Sequence, residues 1–200
     1  MAQVRGPRVA IAVVVAIAIG CAITYSQLAY RMPDLNDQTL AASGEEGRLA
    51  RDGLALADFG DSDGYAYVRT FEQVVAMKFL SDKEIAVFRQ GQATASRATV
   101  ADTPQGRVVA AVVKMPDPQI ARDTAAALDQ LQLDAGMQQV PAPPFVHRAE
   151  VREPDPDGRV HYAHGQLVVR LDLAAAPGVD LGPAFTELID RQLKELPADG

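Results

Sequence analysis

Hydrophobic positions follow two patterns along this chain. Residues 9–30 carry no charge, and 9–23 are almost purely aliphatic. Beyond Arg31, apolar residues recur at the spacings of amphipathic helices and strands. A membrane-spanning helix needs about 20 mostly apolar residues. The first segment reaches that length only when residues 24–30 are included. Tyr25 and Tyr30 then stand at headgroup level, where rings with a polar end are favoured. Arg5 and Arg8 hold the N-terminus in the cytoplasm and direct the rest of the chain outward.

Two other attachments use the same residues. As a signal peptide, residues 1–8 are the basic n-region, with a small-x-small site at Gly20-Cys21-Ala22. As a lipoprotein leader, Ala18-Ile19-Gly20-Cys21 matches a lipobox with Ala18 in place of the usual Leu, and Cys21 is the lipidation site. The uncleaved anchor is the preferred reading. It makes the protein a single-pass plasma-membrane protein with its C-terminal domain outside, the alternative being a lipid anchor at Cys21.

Residues 1–31 are thus the membrane segment, 32–64 a glycine-interrupted stalk and 65–200 the extracytoplasmic domain. In the domain, residues 65–79 suit a helix with Val68, Phe71, Val74, Val75 and Phe79 on one face, the alternative being a strand start at Tyr65–Val68. Residues 84–89 read as a short strand, and 90–106 are polar without clear period. The signals sharpen at Arg107. Residues 107–115 form a nearly continuous apolar run, as in a strand buried on both faces. Asp117 as N-cap, Pro118 at the first turn and Gly136 past the end delimit a helix over 119–135. Its expected buried stripe is Ile120, Ala127, Leu128, Leu131 and Ala135.

Residues 145–152 and 159–164 flank a Pro-Asp-Pro-Asp-Gly turn and predict a hairpin, and 166–173 alternate as a further strand. A last helix over 183–196 places Phe185, Leu188, Ile189, Gln192 and Leu196 on one side. Its outer face carries the pairs Glu187–Arg191 and Asp190–Lys194. The order β-α-β-β-β-α from Arg107 predicts an α+β fold. An N-terminal transmembrane or signal helix precedes a largely antiparallel sheet with helices packed on one face.

Charge narrows the partners. After Arg31 there are 16 basic and 26 acidic residues, a net of ten negative charges. Such a domain lacks the clustered cations that nucleic acid requires. Anionic headgroups repel it, so the N-terminal segment must supply its membrane attachment. Cys21 is the only cysteine, which leaves the domain without a disulfide framework or a thiol nucleophile. Tryptophan is absent and aromatics make up 6% of the chain, which argues against stacking platforms for sugars or bases.

Candidate chemistry is sparse. Around Asp58, Asp61, Asp63 and Gly64 a calcium loop would need oxygen ligands where Phe59 and Thr70 stand, so Asp and Gly here make a turn. The five serines lack a nucleophile-elbow context, and Gly91 and Gly106 are isolated. The predicted hairpin sets His147 nearly opposite His164, with Glu150 or Asp157 nearby. Zinc usually takes four ligands, and His161 and His164 point to opposite faces of a strand, so at most two of the three histidines converge. No catalytic residue, metal ligand or cofactor is assigned.

The leader ending near a cysteine, the strand-to-helix junction at residues 112–118 and the Ala-rich helix after it form a set with strand 165–173 and helix 185–196. Together they resemble uncharacterised actinobacterial cell-envelope lipoproteins, over roughly residues 107–197 plus the leader. That resemblance implies a location outside the plasma membrane and brings no catalytic residues. The expected function is a non-catalytic binding or scaffolding domain of the envelope, whose partner is an envelope protein complex or a small apolar ligand. The rival is an exported hydrolase or metal-dependent enzyme using His147 and His164.

Overall fold

The apolar run after Gly106 lies inside an antiparallel sheet. The computed structural model describes residues 53–60 and 68–199. The membrane segment with Cys21, the stalk as far as residue 52, and Asp61 and Asp63 lie outside the described residues. The strands are β1 (Ser96–Thr103), β2 (Gly106–Lys114), β3 (Gln138–Gln139), β4 (Val146–Val151), β5 (Asp157–His164) and β6 (Leu167–Ala175). They pair antiparallel in the order β1-β2-β6-β5-β4-β3. The helices are α1 (Phe71–Ala76), α2 (Asp82–Gln90), α3 (Pro118–Asp134) and α4 (Leu181–Glu195). Among the described residues, no helix is long and apolar enough to cross a membrane.

The α+β class is as expected, and so is the order from β2 onward except for the added two-residue strand β3, but helices cover both faces of the sheet rather than one. Val108, Ala110, Val112, Leu171 and Leu173 pack with Phe185, Leu188 and Ile189 of α4. The alternate positions Ala111, Val113 and Val168 pack with Phe88 of α2 and Ala121, Ala125 and Leu128 of α3. A strand that is apolar at odd and even positions needs cover on both sides, and β2 is such a strand.

Leu54, Ala57 and Phe59, in the stretch read from the sequence as stalk, are buried in the α4 layer. Gln192 fastens them there. Its Oε1 accepts from Ala57 N at 2.9 Å and its Nε2 donates to Ala55 O at 3.2 Å. Gly158 lets α4 approach closely, since a Cβ there would fall 2.5 Å from Phe185 Cδ1. At the start of α4, Arg148 donates to Thr186 Oγ1 and Gly182 O at 2.9 Å each and stacks over Phe185.

Three local expectations change. Residues 84–89 are helical, within α2, because Ser81 and Glu84 form a capping box. Ser81 Oγ accepts from Glu84 N, and Glu84 Oε2 accepts from Ser81 N at 2.8 Å. Of the helix expected over 65–79, residues 65–67 lie outside the described residues, and the described part is helical only in α1, opened by a second capping box at Thr70 and followed by Lys78 at φ 60°. Helix α3 has the expected cap, Asp117 Oδ1 accepting from Ile120 N at 2.9 Å. Its buried face is different. It carries Ala121, Thr124, Ala125, Leu128, Asp129 and Gln132, while Ala127 and Ala135 are exposed and Ile120 and Leu131 half-buried.

Candidate functional site

The hairpin of β4 and β5 forms with a register that separates the expected histidine pair. His147 lies opposite His161, and His164 lies opposite Leu167 on β6. His164 Nδ1 is 2.7 Å from Pro197 O, while His147 Nδ1 is 3.7 Å from Asp129 Oδ2. Glu150 accepts from Arg148 Nε at 2.8 Å, and its place on β4 puts it on the face opposite His147. Asp157 pairs with Arg159 at 3.3 Å. The set His147, His164, Glu150 and Asp157 therefore does not converge. Among the described residues, no group of three or more His, Cys, Asp or Glu is placed to hold a metal ion.

A polar belt missed in the sequence runs under α2 and α3 instead. Neighbouring positions of β4, β5 and β6 set His147, His161 and Arg170 in one row, with Arg159 and Asp172 in the next. Glu84 enters from α2, and its Oε1 accepts from Arg170 Nε at 3.0 Å and Gln132 Nε2 at 3.3 Å. Arg170 Nη1 lies 2.6 Å from Asp172 Oδ2, close enough for ion pairing but not aligned as a hydrogen bond. His161 is 0% exposed, and neither ring nitrogen has a protein partner. The charged residues of β6 alternate with apolar ones, a pattern that suggests a solvated face. They are buried because helices cover that face.

Burial sets the titration of this belt. Burial alone would raise the Glu84 carboxyl, but Arg170, Ser81 and Arg159 outweigh it and bring it to about 2. Burial, reinforced by the Arg170 guanidinium, pushes His161 down to about 3. Burial raises Asp172 to about 6 against the pull of Arg170 and Arg159. Burial also raises Asp157 and Asp129, partly offset by Arg159 and His147 respectively.

The signs oppose one another. His161 is lowered from 6.5, so it removes stability as pH falls from 6.5 towards 3. Asp172 is raised from 3.8, so acidification between 6 and 3.8 restores stability, and the raised Asp157 and Asp129 act in the same sense. Glu84, lowered from 4.5, removes stability from there down towards 2. Urea midpoints should therefore change little between pH 6 and 4 and fall steeply below about 4. In Asp172→Asn the fall should begin near pH 6. An unchanged profile in that variant would contradict the account.

The most exposed feature lies beyond this belt. Phe145 is 63% exposed, the one exposed large hydrophobic side chain among the described residues. Val146 N donates to Pro143 O at 3.2 Å, which makes Pro144 and Phe145 the central pair of a β-turn. Proline fixes a negative φ at the first central position and Phe145 has φ 64°, the type II arrangement that favours glycine at the second. Phe145 thus combines an exposed ring with backbone strain of about 1–3 kcal/mol. It lines a groove of 260 Å³ whose apolar wall is Ala125, Ala126 and Ala163. Arg122, Asp123, His147 and Asp199 supply the polar groups. A second groove of 360 Å³, along Val87, Gly91, Ile120 and Thr124 between α2 and α3, has no aromatic lining.

No family model and no curated protein matches the chain. Among solved structures, the chain is similar to the extracellular domain of PknH from Mycobacterium tuberculosis, with 18% identity and a TM-score of 0.42. The match covers 57% of this chain and 72% of that one. A likeness at this level assigns no activity, location or partner to this chain.

Proposed function

We propose that this chain is a membrane-tethered, extracytoplasmic binding domain that takes a small apolar molecule into the groove at Phe145 without catalysing a reaction. The tether is the uncharged segment of residues 9–30, with lipidation at Cys21 as the alternative attachment. The observation that carries the reading is Phe145. A strained backbone here presents an aromatic ring to water, and such outliers gather at functional sites. Proline before it and the turn hydrogen bond hold the ring in place before any ligand arrives, which lowers the ordering cost of binding.

Phe145→Gly separates folding from binding. Glycine relieves backbone strain of about 1–3 kcal/mol and loses about 0.5–1 kcal/mol through added freedom when unfolded, so the variant should be at least as stable. Its affinity for a neutral aromatic probe, N-phenyl-1-naphthylamine, should drop about tenfold or more, as for loss of an aromatic anchor. Probe emission on the full chain in a fluorinated surfactant, whose micelles take up little hydrocarbon, measures this. Equal probe binding by both proteins would sink the reading.

A further inference from the structure

We propose that the groove at Phe145 receives a zwitterionic phospholipid from the adjoining membrane, with the lipid head among the groove's charges and its acyl end along the turn at residues 140–145. This rests on the groove being the binding site and refines its ligand from a small apolar molecule to one whose apolar chain carries a zwitterionic head. Two features of the lining and one of the adjoining turn bear on that class.

The first is charge of both signs around a small space. Arg122 brings a guanidinium, and Asp123 and Asp199 bring carboxylates. A guanidinium takes phosphate through paired hydrogen bonds, while an ammonium is drawn to carboxylates and to an aromatic face. Phe145 supplies that face in the same groove.

The second is preorganisation. Both oxygens of Asp199 accept from Gly165 N, at 3.0 and 2.7 Å, yet its side chain stays 46% exposed. Arg122 Nη2 donates to Gln119 Oε1 at 2.9 Å, which orients the guanidinium. Charged groups fixed before binding lose less entropy when a ligand arrives.

The third is the turn itself. Residues 140–145 contain no polar side chain, and 141–145 are exposed. A ligand with a phosphate, an ammonium and hydrocarbon satisfies all three features together. An anionic lipid would lack the ammonium and would meet a domain carrying ten net negative charges after Arg31.

The chain has no tryptophan, so Phe145→Trp gives it a single indole reporter at the groove. Full-length Phe145→Trp protein in fluorinated surfactant is titrated with monomeric dihexanoyl-phosphatidylethanolamine, dihexanoyl-phosphatidylglycerol and free phosphoethanolamine. The expected result is a saturable blue shift with the first, half-saturation about tenfold weaker with the second, a difference of one charge interaction, and no shift with the third. Adding Asp123→Asn should erase the preference between the two lipids, and Arg122→Gln should weaken both alike, because both carry the phosphate. Equal response to both lipids, or a response to free phosphoethanolamine as strong as to the lipid, overturns the inference. So does no lipid response while N-phenyl-1-naphthylamine still binds, an outcome that leaves the groove reading standing. If the aromatic probe fails as well, both fall together.

Discussion

Replacing Glu84 by alanine should destabilise the domain by about 3–5 kcal/mol, the cost of removing one partner from a buried ion pair. The Glu84 carboxylate joins two layers of the fold. Oε1 meets Arg170 Nε and Nη2 at 3.0 Å each, Gln132 Nε2 at 3.3 Å, and Arg159 Nη1 at 3.8 Å. Oε2 accepts from Ser81 N and Ser81 Oγ at 2.8 Å each, closing the capping box of α2. Arg170 is 1% exposed, and without Glu84 it would keep Asp172 as its close ion-pair partner and lose the partner that reaches it from α2. A buried charge that loses one of its partners is costly because neither water nor a counter-ion replaces the lost one.

Two controls separate charge from capping. Glu84→Gln keeps an acceptor for Ser81 and should fall between wild type and alanine. Replacing Glu84 and Arg170 together by methionine, with Asp172→Asn so that the second carboxylate on Arg170 is not stranded, should cost less than Glu84→Ala alone, since no charge is then orphaned. The exposed Glu72–Arg89 pair joins α1 and α2 at the surface, and its removal should have little effect. Urea denaturation of the full chain checks each variant. A Glu84→Ala loss below about 1 kcal/mol would mean that the belt is solvated and does not hold the layers together.

How much of this was legible in the sequence follows from which signals were local. The run of β2, the Asp117 cap of α3, the hairpin turn and the face of α4 with Phe185, Leu188, Ile189 and Gln192 are all marked by neighbours in the chain. The α2 signal was also local, but the apolar run Ile85-Ala86-Val87-Phe88, with two β-branched residues, imitates a short strand. The Ser81–Glu84 capping box outweighs that preference. β1 was hidden because Ser96, Arg97, Thr99 and Asp102 dilute its apolar positions.

The candidate site depended on non-local facts. The hairpin was legible, but its register was not. With Val151 opposite Asp157, His147 meets His161 and His164 is left with β6. Register is set by where pairing leaves the turn, and each slipped residue changes the face of every side chain. Arg170 and Asp172 look like an outer face until α2 and α3 are placed over them. Phe145 looks like the first residue of a strand until the Pro143–Val146 hydrogen bond turns it outward.

The buried face of α3 provides the second large effect, and it discriminates between the two possible stripes. Leu128→Ala should cost about 2–5 kcal/mol, because the side chain is fully buried and the sheet behind it cannot collapse into the space. Leu128 belongs to the same cluster as Ala111, Val113, Ala163 and Val168 of the sheet and Phe88 of α2. Leu131, three residues further along, is only half-buried, so Leu131→Ala should cost roughly 1 kcal/mol. Apolar periodicity alone favours a stripe through both leucines. The observed stripe turns away from Leu131 because Asp129 and Gln132 face inward, Gln132 towards Glu84 and Arg159 and Asp129 towards His147. Polar groups with buried partners thus decide the rotation of a helix whose apolar residues leave it open. Urea midpoints with an unchanged denaturant slope measure the two losses as differences in stability. Equal losses from Leu128→Ala and Leu131→Ala would place the helix in the other rotation and remove Gln132 from the belt.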